Sequence, residues 1–148
     1  MATVPDTHSM TALEHCFKVV VGDSDEHVGV FLEVHGLGLE WQTESYSEGG
    51  RNDFVYELRT RVKHPHLKLK SGVTNQSTLL DWVLGRGRLT GPQNMRIIFM
   101  TANGSILRTF AFIQAVPVRW TGPNGNVGAN AVATETLEIA HRGLTPGI

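Results

Sequence analysis

The sequence is poor in cysteine and in charge. Cys16 is the only cysteine among 148 residues, so no disulfide can form within the chain, which fits a reducing compartment. Charged residues make up 18%, below the usual quarter, and the formal net charge is −1. A molecule this close to neutrality has no overall electrostatic attraction to nucleic acid or to an anionic membrane.

Long apolar runs are absent as well. No stretch reaches the roughly 18 consecutive apolar residues that a transmembrane helix needs. The N-terminus lacks a basic region followed by an apolar run, so we expect no signal peptide. Residues 1–12 are polar and mixed, which predicts a flexible N-terminal arm. We therefore expect a single domain, residues 1–148, that does not insert into a membrane by itself.

Patterns that would indicate a nucleophile or a metal site are weak. Cys16 starts a predicted strand, and a buried or half-buried thiol explains it better than a nucleophile. His64, His66 and His141 lack the further ligands that zinc needs, so we interpret them as exposed loop histidines. Residues 23–26 lack the twelve-residue pattern of a calcium loop, and we expect a solvated turn there.

The remaining motifs do not assemble a site either. Gly36 and Gly38 are not followed by the third glycine of a dinucleotide-binding loop. Glu135 and Glu138 fall on opposite faces of a predicted strand, so they cannot form a matched acid–base pair. We predict that the protein is not an enzyme and has no catalytic residue, cofactor or metal.

The dominant pattern in the sequence is an alternation of polar and apolar residues, which predicts a mainly β protein. One helix is predicted at 75–84, with Thr74 as its N-cap, Gly85 just past its end and Trp82 at the edge of its apolar stripe. Six or seven strands and a helix close naturally as two packed antiparallel sheets or a small barrel. The predicted strands are 17–21, 28–35, 39–46, 65–72, 95–101, 106–120 and a last run ending near 144.

The stretch 106–144 lies at the centre of this prediction. Between 106 and 120, apolar residues fall on both pleat faces, which indicates one strand, or two strands joined by a bend, with both faces largely covered. Pro117 cannot donate to a strand ladder, so it marks an edge or a bulge. A glycine-rich turn then reverses the chain into the last strand-like run.

Residues 47–64 show no clean period and predict a long loop. Counted to Lys70, this part of the chain holds six of the 13 basic residues against three acids. A long loop in a compact domain is either functional or disordered. Its aromatic residues are few and the net charge is near zero, so nucleic-acid binding is not expected. Low charge and long loops favour self-association through loops and strand edges.

Six stretches carry a family resemblance. They are FLEVHGL (31–37), YSEGGRN (46–52), LKLKSGVT (67–74), LDW (80–82), AVPVRWTGP (115–123) and VATETLEIAHRGL (132–144). In this order and spacing the chain resembles the tail tube proteins of contractile-tailed phages and the related inner tube proteins of contractile injection systems. The resemblance covers residues 17–144.

The resemblance implies a fold and an assembly. The implied fold is mainly β, with two packed antiparallel sheets forming a barrel-like sandwich, one flanking α-helix and a long extended loop. The implied function is that of a structural subunit: six copies form a ring, and rings stack into a hollow tube. A contractile sheath drives this tube into a target, and payload passes through it.

Partners and contact residues follow by the same analogy. The expected partners are other copies of the chain, the sheath protein, baseplate or hub proteins, tube-terminating proteins and a payload in the lumen. Assembly is expected in the cytoplasm, and the finished particle delivers the tube on contraction. The N-terminal arm and the inter-subunit loop at 47–64 are the expected contacts. The loop's expected interface residues are Glu48, Gly49, Gly50, Arg51, Asn52, Asp53, Phe54, Tyr56, Arg59 and Arg61.

Two other functions are compatible with a small β domain. A monomeric β-barrel that binds a small ligand would account equally well for the doubly apolar strand at 106–118. A small hydrolase using Cys16 or a serine would require a nucleophile–base pair, and the sequence shows no motif that anchors one.

Overall fold

The computed structural model describes residues 16–23, 27–50, 53–72, 78–123 and 133–147. The predicted N-terminal arm, the helix start at Thr74 and the turn at 124–126 lie outside these residues. The described part contains one helix, α1 (Thr78–Val83), and more strands than the six or seven predicted. These are β1 (Cys16–Val21), β2 (His27–Phe31), β3 (Glu33–His35), β4 (Glu40–Tyr46), β5 (Tyr56–Lys63), β6 (Leu67–Gly72), β7 (Gln93–Met100), β8 (Ile106–Thr121), β9 (Thr134–Ala140) and β10 (Gly143–Pro146).

Two antiparallel sheets share the long strand β8. The hydrogen-bonded order is β2-β1-β7-β8-β9-β6-β3, and β10 also pairs with β8. The N-terminal part of β8 pairs with β7 and β10, whereas its C-terminal part pairs with β9. The prediction of a mainly β fold with two antiparallel sheets and one flanking helix is therefore confirmed. The hydrogen-bonded order ends at β2 and β3, so these strands do not close the sandwich into a barrel.

The predicted strand at 28–35 is two strands, because the chain changes sheets at Leu32. β2 pairs with β1, whereas β3 pairs with β6 on the other side of the sandwich. The Leu32 N–H donates to the carbonyl of Lys70, 2.8 Å away, which ties the crossing point to β6. The strand predicted to end near 144 is likewise divided, because the chain leaves β9 after Ala140 and re-enters the other sheet as β10.

β8 is one strand whose pairing is irregular at three points. Asn94 has no regular partner between the pairs Gln93–Ala115 and Met95–Phe112, and Gln114 takes a φ of 48°. The Asn94 side chain accepts a hydrogen bond from the Gln114 N–H at 3.2 Å, which replaces the ladder bond lost at this bulge. Because of the extra residue, Phe112 and Ala115 are both buried although they have opposite parity in sequence. Another shift follows Pro117, where the sequence predicted an edge or a bulge.

The core lies between the two sheets, and α1 contributes Trp82 to it. Gly85 (φ 67°) donates its N–H to the Trp82 carbonyl, and the next N–H bonds to the carbonyl of Asp81, which is a Schellman ending with the predicted glycine. Trp82 is only 2% exposed, so the prediction that it lies at the edge of the helix's apolar stripe is wrong. Leu84, just past the end of α1, is exposed instead. The core cluster is Val19, Val21, Phe31, Leu67, Leu69, Trp82, Met95, Ile97, Phe112, Ala115, Leu137 and Ile139.

Within the described ranges, no helix has the length and apolar character that crossing a membrane would require.

Candidate functional site: a projecting hairpin

The strands β4 and β5 form a two-stranded hairpin of their own. They hydrogen-bond to each other and to no other described strand. Every residue of both strands is exposed. The predicted long loop at 47–64 is therefore wrong in its second half, since Tyr56–Lys63 is strand and only the turn before it is irregular. The prediction missed this strand although Tyr56, Leu58 and Val62 alternate with polar residues at period two.

The first face of the hairpin carries aromatic and acidic residues. Tyr46 lies opposite Tyr56, and Glu44 lies opposite Leu58. Phe54 extends this face toward the turn, with its ring edge-on to Tyr56 at a centroid distance of 4.8 Å. We call the set Glu44, Tyr46, Tyr56 and Leu58 the tyrosine face.

The opposite face carries the only tryptophan of the hairpin. Ser45 lies opposite Glu57, and Thr43 lies opposite Arg59. A bulge in β5 then brings Val62 opposite Trp41. The Arg59 guanidinium lies 5.6 Å from the centre of the Trp41 ring, a cation–π distance that places both side chains on one face. We call the set Trp41, Thr43, Arg59 and Val62 the tryptophan face.

Both faces expose large apolar side chains. Tyr46 and Leu58 on the tyrosine face are 55% and 56% exposed, and Trp41 on the tryptophan face is 42% exposed. A lone two-stranded hairpin is marginally stable in water, and apolar patches of this kind usually mark interaction surfaces. The hairpin therefore has the composition of an interface and lacks a covering layer among the described residues.

Charge is divided along the hairpin. Among its described residues, the acids Glu44, Glu48, Asp53 and Glu57 lie toward the turn. The bases Arg59, Arg61 and Lys63 lie toward the sandwich together with one acid, Glu40, which is paired with Lys63. Of the basic residues counted in the predicted segment, Arg59, Arg61 and Lys63 lie at the base of the hairpin, whereas Lys68 and Lys70 lie on β6. An acidic end and a basic end allow a neighbour to be oriented by complementary charge.

Eight of the ten predicted interface residues lie on this hairpin and are exposed. Arg51 and Asn52 lie outside the described residues. Gly50 has a φ of 115°, which suits glycine in the turn. The prediction omitted the apolar residues of the paired strand, although the alternation of Trp41 and Thr43 with acids had already marked β4. The described predicted residues are Glu48, Gly49, Gly50, Asp53, Phe54, Tyr56, Arg59 and Arg61. Their role as contacts stays a prediction.

Two of the three histidines differ from the exposed loop residues that the sequence predicted, and His66 agrees with the prediction. His64 and His141 are half-buried with ring centroids 5.3 Å apart, and His141 packs edge-on against Phe112 at 4.9 Å. Burial, and then the neighbouring His64, lower the pKa of His141 from its usual 6.5. His66 is exposed and its Nδ1 lies 2.9 Å from Glu138, whose pKa this hydrogen bond lowers. Over the described ranges, no three His, Cys, Asp or Glu side chains converge as a metal site.

The other candidate residues are scattered. Glu135 accepts a hydrogen bond from the Trp120 indole N–H at 3.0 Å, whereas Glu138 contacts His66, so the two carboxylates occupy different surroundings, as predicted. Cys16 begins β1, and the structure does not describe its side chain. Most of the predicted polar turn at 23–26 also lies outside the described residues.

The comparisons with known proteins define the class. The family model described as "T4-like virus tail tube protein gp19" matches residues 14–145. The chain belongs to this tail tube family, so it is a structural subunit of a tube. The small-ligand module is not favoured. No curated protein sequence matches the chain.

Solved structures from contractile machines share the fold. A chain of the PVC extracellular contractile injection system, in its sheath–tube complex, is 23% identical, with a TM-score of 0.73 over 87% of this chain and 86% of that one. A chain of the anti-feeding prophage baseplate is 24% identical, with a TM-score of 0.72 over 98% and 96%. Hcp1 from Flavobacterium johnsoniae is 14% identical, with a TM-score of 0.53 over 89% and 96%.

Proposed function

We propose that six copies of this chain close into a ring, that the rings stack into the hollow inner tube of a contractile particle, and that the β4–β5 hairpin makes the contacts. The observation that carries the assignment of the hairpin is its exposure. All residues of both strands are exposed, and their large apolar side chains lie on both faces. A subunit that works alone would gain nothing from such a surface.

The physical argument rests on how a tube is built. A head-to-tail contact that closes by rotation produces a ring, and a second contact that does not close extends rings into a filament. Each contact needs complementary surfaces on different parts of the subunit. A projecting hairpin with an acidic end and a basic end supplies such a surface without disturbing the core.

Further partners follow from the machines in which this fold occurs. The similar structures come from a sheath–tube complex, a baseplate and a sheath/tube terminator. We infer that this chain contacts a sheath, a baseplate or hub and a terminating protein, and that a payload passes through the lumen. The role is mechanical, so we infer no catalysis. The subunit assembles in the cytoplasm and leaves it with the particle.

The experiment removes apolar area from the hairpin while leaving the sandwich intact. The variant Tyr46→Ser with Tyr56→Ser changes two facing residues that are 55% and 40% exposed in the subunit. Losing this cross-strand pair should cost the free subunit no more than about 1 kcal/mol. We expect normal circular dichroism and loss of rings and tubes in negative-stain electron microscopy.

The matched control is Tyr46→Phe with Tyr56→Phe, which keeps both rings and should still assemble. If the serine variant formed tubes of normal length, the hairpin would not be the contact. If the unmodified protein stayed monomeric at high concentration with its baseplate partners present, the tube proposal itself would be wrong.

A further inference from the structure

We propose that each hairpin is held between two different copies of the chain, one packed against the tyrosine face and the other against the tryptophan face. This inference rests on the proposed tube function and adds to it the number and placement of the neighbours. The observation that supports this inference is that the hairpin is a single layer and exposes large apolar side chains on both of its sides.

The tyrosine face requires a cover of its own. Tyr46 and Tyr56 face each other across the strands, with Leu58 one pair further along. These side chains are 40% to 56% exposed in the subunit. Tyrosine suits an interface because its ring buries apolar area and its hydroxyl still finds a hydrogen-bond partner. Glu44 adds an acid beside Leu58, so the covering surface should be apolar with a basic or hydrogen-bond-donating rim.

The tryptophan face requires a second and different cover. Trp41 and Val62 are paired and are 42% and 36% exposed. Arg59 lies over the Trp41 ring, an arrangement that fixes both side chains before binding. Tryptophan and arginine are the residues most often found at interface hot spots. The guanidinium gives this face a positive group, two positions along β5 from the carboxylate of Glu57.

One flat neighbour cannot cover both faces. Side chains of adjacent residues in a strand point to opposite sides of the sheet, so Thr43 and Glu44 meet different surroundings. The two faces also differ in chemistry, so the same surface patch of a neighbouring copy cannot cover both of them. A stacked-ring tube offers two kinds of neighbour, one within the ring and one in the next ring. The hairpin therefore serves ring closure with one face and ring stacking with the other.

The first experiment compares adjacent positions on the two faces. Thr43→Cys and Glu44→Cys are each introduced beside Cys16→Ser, and the rate of thiol labelling by a bulky maleimide is measured on dissociated subunits and on tubes. We expect labelling at both positions to slow by about tenfold or more in tubes. Protection at only one position would overturn the two-sided arrangement, even though the tube had formed. If labelling did not slow at either position in well-formed tubes, the hairpin assignment would fail as well.

The second experiment separates two neighbours from one neighbour that wraps around the hairpin. Tyr46→Ser with Leu58→Ser removes apolar area from the tyrosine face, and Trp41→Ser with Val62→Ser removes it from the tryptophan face. Native mass spectrometry and electron microscopy report the largest assembly formed. We expect one variant to stop at closed rings and the other at subunits. The same stopping point for both variants would mean that a single neighbour covers both faces.

Discussion

Trp82→Ala is the substitution that tests most directly how the helix is joined to the sandwich. Trp82 lies in the six-residue helix α1, is 2% exposed and belongs to the core cluster. Its indole N–H donates to the carbonyl of Gly91 at 3.2 Å. The side chain thus joins α1 both to the core and to the connection that leads into β7.

The expected magnitude follows from these contacts. Removing a buried tryptophan side chain typically costs about 3–5 kcal/mol through lost transfer energy and the remaining cavity. Gly91 is exposed, so water can hydrate its freed carbonyl and the lost hydrogen bond adds little. A domain of this size has a total stability of about 5–15 kcal/mol, so the variant should retain only part of it.

Urea unfolding followed by circular dichroism, at a concentration where the subunit is unassembled, measures this loss. Trp82→Phe keeps most of the ring volume and should lose about 1–2 kcal/mol, which separates packing from the hydrogen bond. Leu84→Ala is the matched control in the same helical region, and because Leu84 is 54% exposed it should change stability by no more than about 0.5 kcal/mol. Equal effects of Trp82→Ala and Leu84→Ala would refute the proposed docking of the helix.

Two further predictions concern acid and backbone strain. The pKa of His141 is lowered from 6.5 in the folded chain, so the unfolded chain binds a proton more readily at this side chain. The contribution of His141 to stability is therefore complete above about pH 6.5 and is lost as the pH falls toward the folded-state pKa. The midpoint temperature of thermal unfolding should therefore be lower at about pH 5.5 than at about pH 7.5. This difference should be smaller in His141→Gln, and an equal difference in both proteins would contradict the prediction. Gly36 has a φ of 84°, and a Cβ there would collide with the carbonyl oxygen of His66, so Gly36→Ala should cost about 2 kcal/mol or more by urea unfolding. Gly38→Ala, where a Cβ meets nothing within 4 Å, is its control, and similar losses at both positions would remove the steric explanation.

Strands with one buried face could be predicted from the sequence. In β6, which lies within the strand predicted at 65–72, Leu67 and Leu69 are buried and alternate with exposed or half-buried lysines. The strand predicted at 95–101 is likewise found as β7. These strands could be predicted because each of them buries one face, and a buried face produces an alternation of apolar and polar residues along the strand.

The course of β8 depends on contacts that no local pattern contains. The residue at the bulge, Gln114, is an ordinary polar residue whose positive φ is supported by the side chain of Asn94, twenty positions away. Consequently Phe112 and Ala115 both belong to the core cluster although they have opposite parity in the sequence. The sheet change at Leu32 is of the same kind, because it depends on β6.

The candidate site was located by resemblance rather than by periodicity. The segment containing Tyr56 and Arg59 was predicted as a loop, although its apolar residues alternate with polar ones as in a strand. The structure shows it as a regular strand paired with β4 and projecting from the sandwich. The proposed contacts with neighbouring subunits would cover the side chains that are exposed on both faces of the hairpin.

Electron microscopy of the purified, unmodified protein tests the central claim most directly. The account predicts hexameric rings and stacked hollow tubes at high protein concentration or when baseplate partners are added. A population of monomers alone under those conditions, from protein with native circular dichroism, would contradict it.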